Sequence, residues 1–305
     1  MKRKLFVSLL LGSMLITGCT KEIEVAGTDN SEINSAEVLD DQVVDSEVED
    51  SEEVPEEMNP EKEIIEDDSY GYFVIDNPSW KKFNNTGLNS EDYAHVTLTQ
   101  DVEDSYEWLD TEVWCEKNGF EYIRYPYSDD NYTYEKDYPV DDYSATELYI
   151  YDRESNNLLY DLDMIKLCSG PDDEEGTESY LIQDIGYSTI DESNNMLYVS
   201  IVYNGYSSEL PVSNHIVAID LDTKEVVWRS EALVANSINF QVVDDTIICG
   251  YGFTSEPDYI YLLDKHTGDK IEQIKVASAP EYFGIKDDKL YVATYNTAYE
   301  YTIKR

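Results

Sequence analysis

An aspartate between two alternating apolar runs recurs three times in the second half of the chain. In each copy, apolar and aromatic residues alternate with polar ones before the aspartate, and a similar run follows after a polar turn. A period of two is typical of a β-strand with one buried face. The aspartate side chain can accept hydrogen bonds from backbone N–H groups two residues on, and Asn156 or Gly268 can adopt the positive φ that such a turn requires. Each copy therefore predicts a β-hairpin; the copies are ATELYIYDRESNNLLYDLDMI with Asp152, SNHIVAIDLDTKEVVWRSEAL with Asp220 and PDYIYLLDKHTGDKIEQIKVA with Asp264.

More strand-like runs flank these hairpins, and their spacing sets the size of the unit. Asp220 and Asp264 are 44 residues apart, and four short strands at such a period are typical of a β-propeller blade. The predicted fold is all-β, a propeller-like array of four-stranded antiparallel blades. Three blades are clear in residues 146–305 and about five would fit 69–305, with 69–145 a degenerate part or a cap. The last unit ends after its third strand, and either Gly71–Trp80 or Tyr93–Gln100 could supply the fourth.

The segment around Asp220 resembles the repeat of PQQ-type β-propellers, whose core reads A-x-D-x-x-T-G-x-x-x-W, although Lys224 stands at the glycine position. WD40- and YVTN-like arrays share this architecture. The quinone and calcium ligands of the family's quinoproteins are not recognisable here. The resemblance therefore implies the branch without a cofactor, in which exported lipoproteins use the propeller as a protein-binding scaffold. It implies structural roles in the repeat, with the tryptophan packed between blades, for Asp152, Asp220, Thr223, Trp228, Asp264, Thr267 and Gly268.

The N-terminus has the pattern of a targeting signal. Three basic residues precede the apolar stretch Leu5–Ile16, which is too short to span a bilayer as a stable helix. It ends in LITGC, which resembles the lipobox of bacterial lipoproteins. The resemblance implies that residues 1–18 are a signal peptide and that Cys19 carries lipid (palmitate is the typical acyl group), with two acyl chains giving firm attachment. An ordinary secretory peptide with a chance cysteine is the alternative.

Residues 19–68 differ in composition from the rest. Between Thr20 and Tyr70 there are twenty acidic residues and only two basic ones, and no aromatic residue precedes Tyr70. Such a segment cannot bury enough apolar surface to offset its ordering entropy, and it repels itself. We expect a disordered acidic tether, with a transient helix as the alternative, followed by one β domain at 69–305.

The net charge and the potentially reactive side chains limit the classes of function that the chain can have. The formal net charge is −45, so a nucleic-acid partner is excluded because phosphate binding needs clustered Lys and Arg. His95 and His215 fall in predicted strands and His266 in a turn, without HExxH or metal-ligand spacing. We expect no metal and no catalytic residue, although the acidic loops at 171–179 and 220–225 leave calcium open. The remaining cysteines, expected as buried free thiols unless two of them pair, are Cys115, Cys168 and Cys249.

Tyrosine is the residue in excess, with 27 copies. The stretch Tyr106–Tyr143 interleaves rings with Asp and Asn, as sugar- and protein-binding surfaces do. The alternative is that these rings are core or strand surface. The candidate binding face consists of Tyr122, Tyr125, Tyr127, Tyr132 and Tyr134.

Together these features predict a lipid-anchored, extracytoplasmic bacterial protein whose propeller-like domain binds another exported protein or an envelope polymer. A non-enzymatic role is favoured. The alternative is a carbohydrate-active hydrolase or lyase with a carboxylate-based site at the propeller mouth. A deep central pocket with two inward acids would favour the enzyme, and a filled centre with an outer aromatic patch would favour the scaffold.

Overall fold

The computed structural model describes residues 71–138, 144–171 and 182–305, which form four β-sheets. Sheet 1 has the order β1 (Tyr72–Val74), β7 (Leu158–Asp163), β6 (Glu147–Asp152), β5 (Tyr132–Asp137) and β4 (Tyr127–Ser128). Sheet 2 has the order β2 (Phe83–Asn84), β11 (Glu225–Arg229), β10 (His215–Asp220), β9 (Met196–Tyr203) and β8 (Gln183–Asp191).

The other two sheets have four strands each. Sheet 3 contains β12 (Gln241–Val243), β13 (Thr246–Tyr251), β14 (Tyr259–Asp264) and β15 (Lys270–Lys275). Sheet 4 contains β16 (Pro280–Lys286), β17 (Lys289–Thr294), β18 (Thr297–Lys304) and β3 (Thr97–Ser105). The helices are α1 (Thr111–Asn118), α2 (Ile165–Cys168) and a 3-10 turn at Ser90–Asp92.

Each sheet is an antiparallel meander, and only β1, which pairs with β7, is parallel to its neighbour in these sheets. Neighbouring sheets pack face to face through apolar cores, as blades of a propeller do. Leu148 and Val217 lie in the core shared by sheets 1 and 2, and Ile216 and Leu263 in that shared by sheets 2 and 3. Sheets 3 and 4 share a third core. The all-β, propeller-like fold predicted from the repeat is confirmed.

Sheet 4 is completed by a strand from the other end of the domain. β18 pairs with β3 over eight residue pairs, from Thr297 with Ser105 to Lys304 with Thr97. The pairing covers the edge of β18 and leaves the largely exposed β3 as the outer strand of sheet 4. Of the two segments considered for this strand, Tyr93–Gln100 contributes to it, whereas Gly71–Trp80 contains β1 and joins sheet 1.

The N-terminal part of the domain does not form a separate blade. Residues 71–105 supply β1, β2 and β3 to three different sheets. Helix α1 then covers the face of sheet 4 that sheet 3 leaves open, where Trp114 and Cys115 pack against Tyr282 and Ala293. The Asp110 side chain caps its N-terminus by accepting from Val113 N, and Gly119, with φ +69°, ends it.

The repeat turns have one chemistry in three sheets. Asp220 Oδ1 accepts hydrogen bonds from Asp222 N and Thr223 N at 2.8 and 2.9 Å, and Asp264 Oδ1 accepts from His266 N and Thr267 N at 2.9 and 2.7 Å. In the first copy, Asp152 Oδ1 accepts from Ser155 N at 2.7 Å. The residue that takes positive φ is Asn156 (56°), Lys224 (62°) or Gly268 (71°).

The meanders give the domain two distinct ends. Ion pairs join turns of neighbouring sheets at one end, such as Lys265 Nζ with Asp191 Oδ2 at 3.0 Å. We call this end the turn face; it comprises residues 129–131, 153–157, 192–195, 221–224, 244–245, 265–269 and 287–288. The opposite end, the loop face, comprises residues 106–109, 164–171, 204–214, 230–240, 252–258, 276–279 and 295–296.

The predicted signal peptide 1–18, Cys19 and the tether 19–68 lie outside the described residues, as does most of the acidic loop 171–179. None of the helices in the described ranges combines the length and the apolar character needed to cross a bilayer.

Candidate functional site

Aromatic rings fill the centre of the domain, where the first strands of the sheets meet. The Tyr187 ring on β8 stacks on Tyr127 of β4 with centroids 5.1 Å apart, and it meets Phe240, just before β12, edge-on at 5.0 Å. Tyr282 of β16 lines the same cavity as Tyr127 and Tyr187. The centre is thus occupied by side chains between two small cavities.

Of the five tyrosines in the candidate face, one is buried and four are half-buried. Tyr134 is fully buried; its hydroxyl donates to Asp129 Oδ2 at 2.7 Å and accepts from Ile190 N at 3.1 Å. Tyr127 donates to Ser188 O at 2.6 Å and accepts from Ser188 N at 2.8 Å, at the point where the β8–β9 register shifts. Burial raises the pKa of both tyrosines. These rings join sheet 1 to sheet 2.

The other three tyrosines are partly exposed but already have partners. The Tyr125 hydroxyl lies 3.2 Å from Ser188 Oγ. Tyr132 donates to Glu192 Oε1 at 3.0 Å; burial, followed by that bond, raises the pKa of Tyr132 to about 12. The Arg124 guanidinium lies 4.9 Å from the Tyr122 ring centroid.

One central cavity opens between β8 and β12 and has a volume of about 390 Å³. Its carboxylates are both ion-paired: Asp191 with Lys265 at 3.0 Å and Asp244 Oδ2 with Arg305 Nε at 2.9 Å. Burial tends to raise the pKa of Asp191, but hydrogen bonds from Ser193 and Lys265 and the Lys265 charge outweigh it, so the net pKa is lowered. Asp191 is therefore a carboxylate at neutral pH and is unsuited to act as a general acid.

A second cavity of about 330 Å³ lies between β4, β8 and the segment after α1. Asp129 on its wall is held by its own loop, because Oδ1 accepts from Asn131 N and Tyr132 N at 2.9 and 2.7 Å. Arg124, which also lines the cavity, pairs with Glu112 at 2.5 Å. Both charged groups therefore already have partners within the described part of the chain.

His95 and His266 make contacts that stabilise the fold. His95 Nε2 lies 2.7 Å from the buried Asp264 Oδ2, and His266 Nε2 lies 2.9 Å from Asp245 Oδ1 while its ring stacks on Tyr93 at 3.9 Å. His215 begins β10, as predicted, but His95 precedes β3, so its placement in a strand was wrong. The His95 contact with Asp264 and the hydrogen bond from Val96 N to Thr246 Oγ1 attach the segment before β3 to sheet 3.

Metal-ligating groups are not gathered in the residues that the structure describes: no three His, Cys, Asp or Glu side chains stand close enough to hold an ion. Asp222, considered for calcium, accepts a hydrogen bond from Asn195 Nδ2 at 2.7 Å. The three cysteines are buried and free, and burial raises the pKa of the Cys115 thiol to about 12 and those of the other two as well.

An exposed aromatic patch lies on the loop face. Its members are Tyr106, Trp108 and Tyr295, with 44%, 61% and 53% of their surface exposed. Paired backbone holds them together: Tyr106 N donates to Asn296 O at 2.8 Å and Leu109 N to Tyr295 O at 3.1 Å. We call these three residues the aromatic patch.

A second aromatic pair bridges two loops of the same face. Tyr206, 45% exposed, meets Phe253 edge-on at 5.1 Å. Ser207 Oγ donates to Glu256 Oε1 at 2.9 Å and so ties the loop of sheet 2 to that of sheet 3. The sequence analysis selected the segment that starts at Tyr106 but chose its later tyrosines. Tyr295 lies 152 residues beyond the end of that segment, Tyr143, and carries no local signal that links it to Trp108.

No protein-family model matches the chain, and no curated protein matches it. Solved structures with local similarity include BamB from Moraxella catarrhalis, at 13% identity and a TM-score of 0.33, over 58% of this chain and 57% of that one. Hydrazine synthase of Kuenenia stuttgartiensis gives 11% identity and a TM-score of 0.36 over 54% and 40%. The computationally designed Ika4 protein gives 13% and 0.34 over 58% and 88%. The chain thus spans little more than half of the first structure and less than half of the second.

Proposed function

We propose that this protein is a lipid-anchored, extracytoplasmic scaffold that binds another exported protein through its loop face. The observation that carries the proposal is the aromatic patch. Tyr and Trp are enriched among the residues that dominate binding energy in protein interfaces, because they offer large contact area at low entropic cost. Trp108 and Tyr295 expose this area on two segments that extend from the paired strands β3 and β18, and the hydrogen bond from Leu109 N to Tyr295 O joins the two segments.

The two ends of the domain differ in what they offer a partner. The turn face carries acidic residues such as Asp130, Glu154 and Asp288, and rim charges of this kind affect encounter rate more than affinity. The loop face has two sets of exposed rings. A protein surface with apolar pockets and a polar rim is the complement that these rings favour.

The anchor belongs to the proposal as well. The lipobox-like LITGC places Cys19 ahead of an acidic segment, and diacylation of that cysteine would hold the domain at a membrane surface. The acidic segment and the domain carry the same sign of charge as anionic lipids, so the domain would stand off the surface rather than lie on it.

The enzymatic alternative has less support. In the cavity beside the centre, Asp191 and Asp244 are ion-paired, whereas a glycosidase of the usual type needs one protonated and one free carboxylate across the scissile bond.

Photo-crosslinking tests the proposal. A crosslinking amino acid replaces Glu107, beside the aromatic patch, or Glu154 on the turn face; both glutamates are exposed. In envelope extracts of the source organism we expect a discrete protein adduct from position 107 and none from position 154. With the identified partner, the double variant Trp108→Ala, Tyr295→Ala should bind at least about 30-fold more weakly, while Tyr72→Ala, an exposed tyrosine on sheet 1, should bind normally.

The outcomes are distinct. Equal crosslinking from both positions would contradict the loop-face assignment. Adducts with a glycan or other envelope polymer instead of a protein would identify that polymer as the ligand. Turnover of such a polymer by the purified protein would restore the enzymatic alternative.

A further inference from the structure

A buried arginine lacks a counter-ion among the described residues. Arg229, the last residue of β11, is 1% exposed. Its Nη1 donates to the Ser79 carbonyl, but Nε and Nη2 have no hydrogen-bond partner within the described part of the chain. Burial lowers the pKa of Arg229 to about 10, opposed by the Cys168 thiol nearby, so the group stays cationic at neutral pH. A buried charge without an opposite charge costs several kcal/mol.

A second polar side chain without a partner lies on the same face of sheet 2. Val217 pairs with Arg229 across β10 and β11, and His215 is two residues before Val217, so its ring projects on the same side. His215 is 2% exposed, and neither ring nitrogen makes a hydrogen bond of normal geometry within the described part of the chain, although the Val212 carbonyl lies near the ring. Burial and then the Arg229 charge lower the pKa of His215 well below its usual range, with the Val212 backbone in opposition. The neutral ring can donate one N–H.

Polar groups surround Cys168, which lies near Arg229. Gln183 Nε2 donates to the Cys168 carbonyl, leaving its buried Oε1 without a partner among described residues, and Trp80 Nε1 donates to Ser169 O. The carboxylate next in sequence to Gln183 is not free, because both oxygens of Asp184 accept from Lys136 Nζ at 2.9 Å. The Asp184 carboxylate is thus held by Lys136, and Arg229 stays without a counter-ion among the described residues.

We propose that Arg229, with His215 beside it, is the centre of a binding site for a small anion of carboxylate or oxyanion chemistry. The planar guanidinium presents Nε and Nη2 side by side, the pair of donors that grips two oxygens of such an anion. The imidazole N–H can add a third hydrogen bond. Because the site lies at the loop-face ends of β10 and β11, its occupancy would fix Ser79 and Cys168–Ser169 against sheet 2. The site is separate from the aromatic patch and does not depend on its function.

Thermal unfolding of the full-length protein in detergent tests the site. The probes are sodium sulfate, sodium phosphate and sodium acetate at low concentration, with ionic strength held by sodium fluoride. At least one should raise Tm saturably, by about 5 °C at one hundred times its Kd. Isothermal titration should give one site per chain. Arg229→Lys should bind about tenfold more weakly, and Arg229→Met should not respond.

A second variant tests the site independently, in case the arginine variants misfold. His215→Gln keeps a donor and the fold, and we expect it to weaken binding of the same anion about tenfold without loss of the unfolding transition. If none of the three anions binds the wild-type protein, or if binding is unchanged in Arg229→Lys and in His215→Gln, the proposal is overturned.

The counter-charge could also come from this chain's own sequence. A variant with Asp172, Asp173, Glu174 and Glu175 changed to their amides distinguishes that source. If these changes lower Tm in the wild type but not in Arg229→Met, and added anions have no effect, the chain supplies its own carboxylate and the proposal is wrong. An unchanged response to the anion in the amide variant supports a free anion.

Discussion

The indole of Trp228 lies directly against the turn glycine of the next repeat. A β-carbon placed on Gly268 would fall 2.4 Å from Trp228 Cε3. The indole Nε1 also donates to Lys265 O in that turn, at 3.1 Å. The tryptophan of one blade thus packs on the turn of the next.

Gly268→Ala should therefore be strongly destabilising. The alanine must hold φ +71° and also displace the indole, so we expect a loss of about 3 kcal/mol in the free energy of unfolding, measured by urea denaturation. Gly87→Ala is the matched control, because Gly87 has φ +72° but no atom within 4 Å of the added carbon. It should lose only about 1 kcal/mol. Equal losses in the two variants would show that the Trp228 indole can move aside with little loss of unfolding free energy.

The repeat aspartates should differ in their contribution. Asp264 is fully buried and binds His95 through Oδ2 as well as the turn through Oδ1, whereas Asp220 is partly exposed and serves only its turn among the described contacts. Asp264→Ala should cost about 3 kcal/mol of unfolding free energy and Asp220→Ala about 1. A double-mutant cycle with His95→Ala should assign roughly half of the larger cost to the histidine contact. If the losses of unfolding free energy in Asp264→Ala and His95→Ala were additive, the two side chains would not interact.

The buried tyrosines should make the fold sensitive to alkali. Burial raises the pKa of Tyr127, Tyr134 and Tyr187 above the ordinary value of 10.0. The folded state therefore binds these protons more tightly than the unfolded state does, and their contribution is complete below pH 10 and declines as the pH rises above it. Phenolate absorbance of these residues should appear together with loss of circular dichroism. Ionisation of all tyrosines in a chain that is still folded would contradict the arrangement.

Tyr127→Phe tests the hydroxyl that clamps β8. It removes a donor to Ser188 O and an acceptor for Ser188 N, so we expect a loss of about 2 kcal/mol. Tyr206→Phe, on an exposed ring, should change stability by less than about 0.5 kcal/mol.

The lipid anchor can be tested directly by labelling. Cells grown with a labelled fatty acid should label the wild-type protein but not Cys19→Ser, because the thiol at position 19 is the expected site of attachment. The variant should also leave the membrane fraction. Equal labelling of both proteins would rule out lipid at Cys19.

The β-hairpins were predictable because their signal is local: Asp152, Asp220 and Asp264 each lie between two alternating runs. Which of the tyrosine rings are buried could not be predicted. Tyr132 and Tyr134 share one face of β5, and the sequence offers no contrast between faces that shows which ring is covered. Coverage of Tyr134 depends on Ile190, a residue 56 positions away.

Helix α1 was missed although its ends are marked. Asp110 and Gly119 are a favourable N-cap and C-cap, but the few apolar residues between them, chiefly Val113, Trp114 and Cys115, form no helical stripe. The aromatic patch could not be predicted from the sequence, because only the β3–β18 pairing brings the segments that carry Trp108 and Tyr295 to the same end of sheet 4.

That pairing also sets an order of events during synthesis. Asp101 and Thr302, which are hydrogen-bonded in the finished sheet, are 201 residues apart, so β3 emerges long before its partner exists. Until β18 has been synthesised, β3 has unpaired edges, which can pair with other chains and start aggregation. Its sequence TLTQDVEDS remains largely exposed even in the folded state and carries Asp101, Glu103 and Asp104. These charges would keep nascent chains apart until the C-terminus arrives, so their replacement would reduce yield more than stability.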